Sequence, residues 1–184
     1  MSRLRALAIA LLPGLVAAAA LGAVGGAAVI AGGLFDVQAS TQHSAPVAWA
    51  LHTTMIQADR RHAAAIEPPP ITPQAVQTGL ALYGRDCVSC HGGPATPRAD
   101  WVNGMNPSPP FLIDVARRWT RPQMFWIVKN GVKMTGMPAW GVTRSDDQIW
   151  SVVDFLEAMP DLTPSTYAAM RADGARQIKV ATPK

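Results

Sequence analysis

From Ala6 to Phe35 the chain carries no charged side chain. A run of that length exceeds the roughly 20 apolar residues that a helix needs to cross a bilayer core. Arg3 and Arg5 precede it and Asp36 follows. Positive residues stay on the cytoplasmic side, so the N-terminus is expected inside and everything after Asp36 outside. A cleaved signal peptide is the competing reading, but its apolar region usually spans only about 7–15 residues. Val37-Gln38-Ala39 does offer a small-residue cleavage site, placed late. The expectation is an uncleaved anchor over residues 1–36, contacting lipid through residues 6–35. Ala10, Gly14, Ala18, Gly22 and Gly26 recur every four residues. Such spacing lets two helices approach closely in lipid, although in a segment this rich in Ala and Gly the stripe can also arise by chance, so the pairing signal is weak.

Ala45 to Ile66 reads as a helix, with Pro46 in its first turn and no later Pro or Gly. Val47, Leu51, Met55 and Ala58 fall at helical spacing along one side. Trp49 and His52 lie close to the membrane exit, where aromatic rings sit at headgroup level. Arg60, Arg61 and His62 form a small basic cluster. Two roles are open: a helix that meets the membrane or a membrane partner, and an ordinary spacer. Pro68-Pro69-Pro70 then makes a short stiff link. This places a juxtamembrane helix and Pro linker at 37–70, a folded domain at 71–162, and a short helix with a polar tail at 163–184. The short helix is expected from Pro164 to Arg171, and the tail beyond Gly174.

Cys87 and Cys90 are the only cysteines, too few for a disulfide scaffold. The net charge of +4 comes with no Lys/Arg block interleaved with aromatics, which argues against a nucleic-acid partner. Sixteen prolines and fifteen glycines imply long irregular loops. A chain so built buries a modest core, and a bound cofactor would add stability.

Thr72 and Pro73 suit a helix start, and the helix leads into Cys87-Val88-Ser89-Cys90-His91. The spacing C-x-x-C-H is the attachment signature of a c-type haem. Two thiols add across the porphyrin vinyl groups, and the imidazole next to them becomes the proximal iron ligand. C-x-x-C also serves as a redox dithiol, usually within a βαβ pattern that is missing here. A zinc site would need a second ligand pair, and His43, His52 and His62 are scattered before the linker.

A low-spin electron carrier needs a sixth ligand, for which a thioether is the usual partner of His. Met105, Met124, Met134, Met137, Met159 and Met170 follow the motif. Met137 stands out through its setting, Met134-Thr135-Gly136-Met137-Pro138-Ala139-Trp140-Gly141, a Gly- and Pro-shaped loop that can present one side chain rigidly. Met134 is the runner-up. Thr120-Arg121-Pro122-Gln123 and Ser145-Asp146-Asp147-Gln148 carry capping-box patterns that start two further helices. The first of these ends at Gly131, and the second runs to Met159.

Together these pieces resemble a class I c-type cytochrome, close to the single-haem domains of bacterial oxidase and dehydrogenase cytochrome subunits. The resemblance runs from about Thr72 to Met159. It rests on Gly79-Leu80-Ala81-Leu82-Tyr83, Cys87-Val88-Ser89-Cys90-His91-Gly92, Trp126-Ile127-Val128-Lys129-Asn130-Gly131 and Thr135-Gly136-Met137-Pro138-Ala139-Trp140. It implies an all-α class I cytochrome c fold, with helices and long loops wrapped around one covalently bound haem c. The transmembrane helix and the juxtamembrane helix precede that fold. It implies His91 and Met137 as axial iron ligands, and a carbonyl of Pro109 or Pro110 accepting the other imidazole N–H of His91. It also implies that Gly79 and Tyr83 cross the last helix of the domain at Val152, Val153 and Phe155.

Trp101, Trp126 and Trp140 are haem-pocket candidates alongside Pro109 and Pro110, and Arg98, Arg117 and Arg118 are candidates for the propionates. The implied function is single-electron transfer between redox partner proteins in or on the membrane, without catalysis. The haem domain then lies on the periplasmic side of a bacterial inner membrane. A haem subunit of a larger oxidase or dehydrogenase is the alternative, and a haem enzyme or gas sensor ranks below both. Nothing in the sequence specifies an oligomeric state.

Overall fold

The computed structural model describes residues 3–181, so the first two residues of the expected anchor and the last three of the expected tail lie outside the described residues. The chain divides into two compact units, one up to Thr41 and one from Gln42.

The first unit is a single long helix, α1 (Arg3–Ala31), which runs through Pro13. Within it Ile9–Ala31 form a 23-residue span apolar and long enough to cross a membrane. At 1.5 Å per residue that is about 34 Å, against a hydrocarbon core of about 30 Å. The helix stops where Gly32, Gly33 and Leu34 donate back to the carbonyls of Ala28, Ile30 and Val29.

The second unit is helical throughout. Its elements are α2 (Ala45–Ala63), α3 (Pro73–Asp86), α4 (Val88–His91), α5 (Leu112–Val115), α6 (Arg121–Asn130), α7 (Asp146–Ala158) and α8 (Pro164–Ala181), with short 3-10 turns between. Among the described residues there is no strand, only an isolated bridge between Gly93 and Thr96.

Local chemistry sets the helix starts. Thr72 Oγ1 accepts from Ala75 N at 3.1 Å, and Pro73 opens α3. Thr120 with Gln123, and Ser145 with Gln148, form reciprocal capping boxes at the heads of α6 and α7. Each box satisfies two backbone donors that a helix start otherwise leaves open. Gly131 ends α6 by donating to Ile127 O at 2.8 Å.

The core forms where α3 crosses α7. A Cβ placed on Gly79 would lie 1.8 Å from the Ser151 carbonyl oxygen and 2.8 Å from Phe155 Cβ. Only a residue without a side chain lets the two backbones come that close. Tyr83, Val153, Phe155 and Met159 are fully buried around this crossing. At Gly79 the nearest partners are Ser151 and the expected Phe155, one helical turn apart on α7. From α8, Tyr167 adds a fully buried ring, 6.3 Å from that of Phe155.

Two segments differ from expectation. Helix α8 continues to Ala181, past both Arg171 and Gly174. A lone Gly inside a helix costs about 1 kcal/mol relative to Ala, and the flanking Ala, Arg and Gln residues favour helix, so Gly174 does not end it. Helix α2 is no isolated arm, because its second half packs against α6. Asp59 is wholly buried there and accepts from Gln123 Nε2 at 2.7 Å, and the His62 ring stacks on Trp126 at 5.0 Å. These contacts cross the triple proline.

Candidate functional site

The two thiols and the imidazole sit on one turn. Helix α3 ends at Asp86, Cys87 bends the chain, and α4 carries Ser89, Cys90 and His91. Cys90 N and His91 N both donate to Cys87 O, at 3.1 and 3.0 Å. The thiols are not joined in a disulfide. Cys87 packs on the hydrophobic core, and burial, with the Asp86 charge adding, pushes its thiol up to about 12. A narrow cavity opens beside it, lined by Leu82, Val128, Trp140, Ile149 and Val152.

After His91 the chain turns sharply at Gly92, in the left-handed region at φ +67°. Gly92's carbonyl accepts from the Tyr83 hydroxyl at 2.6 Å, which ties the turn to α3. Burial holds that hydroxyl in its protonated form by raising its pKa well above the usual phenol range.

His91 is half-buried, and its Nδ1 lies 2.8 Å from the Pro110 carbonyl oxygen. A carbonyl can only accept, so Nδ1 carries the proton and Nε2 keeps its lone pair. Burial lowers the imidazole pKa, the Pro110 hydrogen bond opposes this, and the Arg98 charge adds to the lowering. The net effect favours the neutral ring, the form that can ligate a metal. Of the two proline carbonyls considered, Pro110's meets His91, while Pro109's accepts from Arg98 Nη1. The Arg98 guanidinium also lies 4.1 Å from the Phe111 ring centroid. It thus staples the loop whose carbonyl orients the imidazole, a role no local pattern announces. The same loop is held by Ala99 N donating to Ser89 O at 2.9 Å and by the fully buried Val102.

The methionine loop is closed by its own backbone and one hydroxyl. Val132 N donates to Met137 O at 3.3 Å, Thr135 N to Val132 O at 3.2 Å, and Met137 N to Thr135 Oγ1 at 3.1 Å. Met134 forms the tip, 79 % exposed and at φ +63°. Met137 is half-buried against the core cluster that also receives Cys87, Val88 and Trp140. The loop separates two thioethers three residues apart: one faces solvent, the other the core. Met105 reaches the same loop, its methyl lying where a Gly136 side chain would be.

The remaining candidates disperse. Trp140 is half-buried beside the Arg144 guanidinium, 5.6 Å from its ring centroid. Trp126 sits on the α2 side of α6 against His62, and Trp101 is 60 % exposed. Arg117 pairs with Asp161, and Arg118 is exposed. Arg144 pairs with Asp86 at 2.9 Å, an ion pair on the edge of the thiol turn that spacing did not announce. Burial alone would raise the Asp86 pKa, but the hydrogen bonds and charges of Arg85 and Arg144 outweigh it and hold the carboxyl below its usual range.

The donor set fits a haem. Two unbridged thiols flank one short turn, an imidazole of fixed tautomer follows, and a soft thioether waits at the core edge. Among the described residues no three His, Cys, Asp or Glu side chains gather to hold a metal ion. A tetrahedral zinc site built on these thiols would therefore lack its other ligands.

Residues 74–156 match the family described as cytochrome C oxidase, cbb3-type, subunit III. No curated protein and no solved structure matches the chain. A helical domain with C-x-x-C-H at the end of its first helix, lying within that family match, is a class I c-type cytochrome domain, and the chain is a haem c-containing electron-transfer cytochrome.

Proposed function

We propose that the chain is a membrane-anchored single-electron carrier with one haem, attached covalently through Cys87 and Cys90. His91 and Met137 are its axial ligands, and it exchanges electrons with redox proteins in or on the membrane. When bound, the haem supplies reversible one-electron chemistry at iron. The chain's own residues do the rest. Pro110 holds the His91 tautomer, Arg98 holds the Pro110 loop, and Thr135 closes the loop that turns Met137 toward the core. The observation that carries the reading is the hydrogen bond between His91 Nδ1 and Pro110 O, on the same turn as both thiols. Second-shell acceptors of this kind orient metal-bound imidazoles. A thioether as the second axial ligand, beside the His91 imidazole, leaves no open coordination site, which favours electron transfer over oxygen or peroxide chemistry.

The family description, which names an oxidase subunit, supports a second reading: a haem subunit within a larger oxidase. The two readings share the haem domain and differ in what co-purifies from mild detergent. The covalent attachment is tested by acid–acetone extraction of the haem-loaded protein. Pigment should stay with the polypeptide, and Cys87→Ala combined with Cys90→Ala should release it. Pigment that leaves the unaltered chain freely rules out covalent attachment.

A further inference from the structure

Helix α2 has two unlike halves. The second half is docked on α6 through Asp59, His62 and Ala63, the last only 4 % exposed. The first half touches nothing of the kind: every residue from Ala45 to His52 is exposed, with Trp49 at 70 %. Charge follows the same division. Between Asp36 and Asp59 there is no Asp, Glu, Lys or Arg, whereas Asp59, Arg60 and Arg61 stand together in the docked half.

An exposed helix in water normally carries charge on its solvent face. Here the exposed half carries none, and Val47, Trp49 and Leu51 stand open around it. The lack of charge extends around the whole circumference. A helix lying flat on a bilayer keeps one strongly charged face, and a single protein partner covers only one side. An uncharged girdle suits a medium that surrounds the helix. The ten residues Ala45–Thr54 span about 15 Å. That is enough to pass through a headgroup layer of about 5–8 Å, the layer in which Trp is enriched.

We propose that the first half of α2 stands immersed in the headgroup layer of the bilayer, with Trp49 as its interfacial anchor, while its docked half holds the haem domain as a strut. This rests on the reading of α1 as a bilayer span. The occupant of the exposed surface is therefore phospholipid, not a second protein.

The test uses the full haem-loaded chain in phosphatidylcholine–phosphatidylglycerol vesicles, with a nitroxide label on Trp49→Cys, Gln57→Cys or Val142→Cys. Thioether-bound Cys87 and Cys90 do not label, and pigment that stays on the labelled chain through acid–acetone extraction reports that the haem reading holds, whereas pigment that is lost reports that it fails. Alkaline carbonate washing separately reports whether α1 holds the chain in the vesicle. The label at 49 should be relaxed by oxygen in preference to a water-soluble nickel chelate. Labels at 57 and 142 should show the reverse preference. A label at 49 that meets nickel as readily as the one at 142 overturns the proposal. So does one shielded from both reagents, because that marks a protein contact.

Discussion

At the level of single residues, the two methionines of the ligand loop invite a direct comparison. Met134 is the exposed tip in a left-handed conformation, and Met137 turns inward behind Thr135. Met137→Ala should leave the ferric iron high-spin or water-bound and let the ferrous form take carbon monoxide. Met134→Ala should leave the visible spectrum nearly unchanged. A Met137→Ala protein that keeps its thioether–iron charge-transfer band moves the ligand elsewhere. Asp59 makes a second residue-level prediction. Burial raises its pKa, against the hydrogen bond from Gln123 and the Arg60 charge. An acid with a raised folded pKa supports the fold fully below its unfolded value near 3.9, and that support is lost as pH rises through the folded value. Asp59→Asn keeps an acceptor for Gln123 and cannot ionise. Relative to the unaltered chain, the Asn variant should gain thermal stability as pH is raised from about 4 to 8. Melting curves at several pH values check this, and a constant difference between the two proteins counts against it.

Among the elements, the α3–α7 crossing is the least forgiving. Gly79→Ala would drive a methyl group into the Ser151 carbonyl, which is backbone and cannot swing aside. The loss should lie at or above the upper end of overpacking costs, about 3 kcal/mol, read from denaturant unfolding. An unchanged midpoint would show that the helices slide apart at little cost. The sequence made some of this readable and hid the rest, for a physical reason. Helix starts at Thr72, Thr120 and Ser145 could be found because a cap bonds backbone two or three residues away. The docking of α2 could not, since Gln123 meets Asp59 across 64 positions. In the sequence Arg98 is one of three propionate candidates, and its role on the loop is not legible there because its partners, the Pro109 carbonyl and the Phe111 ring, belong to an irregular segment. The Met137 loop was visible as Gly and Pro punctuation, but the inward turn came only with the Thr135 hydroxyl.

For the molecule as a whole, charge reads differently in three dimensions than along the chain. Arg117, Arg118, Arg121, Lys129 and Lys133 form an acid-free basic stretch between Val115 and Thr143. Folding brings acids to three of them: Asp161 to Arg117, Asp154 to Arg121 and Asp146 to Lys129. Arg118 and Lys133 make no such pair among the described residues. Steering of a redox partner should therefore rest on these two, with a shallow salt dependence. Arg118→Gln with Lys133→Gln should slow reduction by the partner at low ionic strength and leave the rate unchanged at high salt. Stopped-flow measurements across a salt series decide it, and an equal slowing at every ionic strength would point to contact, not steering.

The amide of Gln123 has a mechanical consequence. Its oxygen closes the first turn of α6 by accepting from Thr120 N, while its nitrogen holds Asp59. A load applied to the free end of α2 therefore reaches the first turn of α6 through Gln123 and its middle through Trp126. That helix is a stiff rod of ten residues, and its far end at Gly131 is where the Met137 loop begins. Tension on α2 would thus have a direct load path, through the Asp59–Gln123 hydrogen bond, the His62–Trp126 stack and one helix, to the segment that carries the thioether.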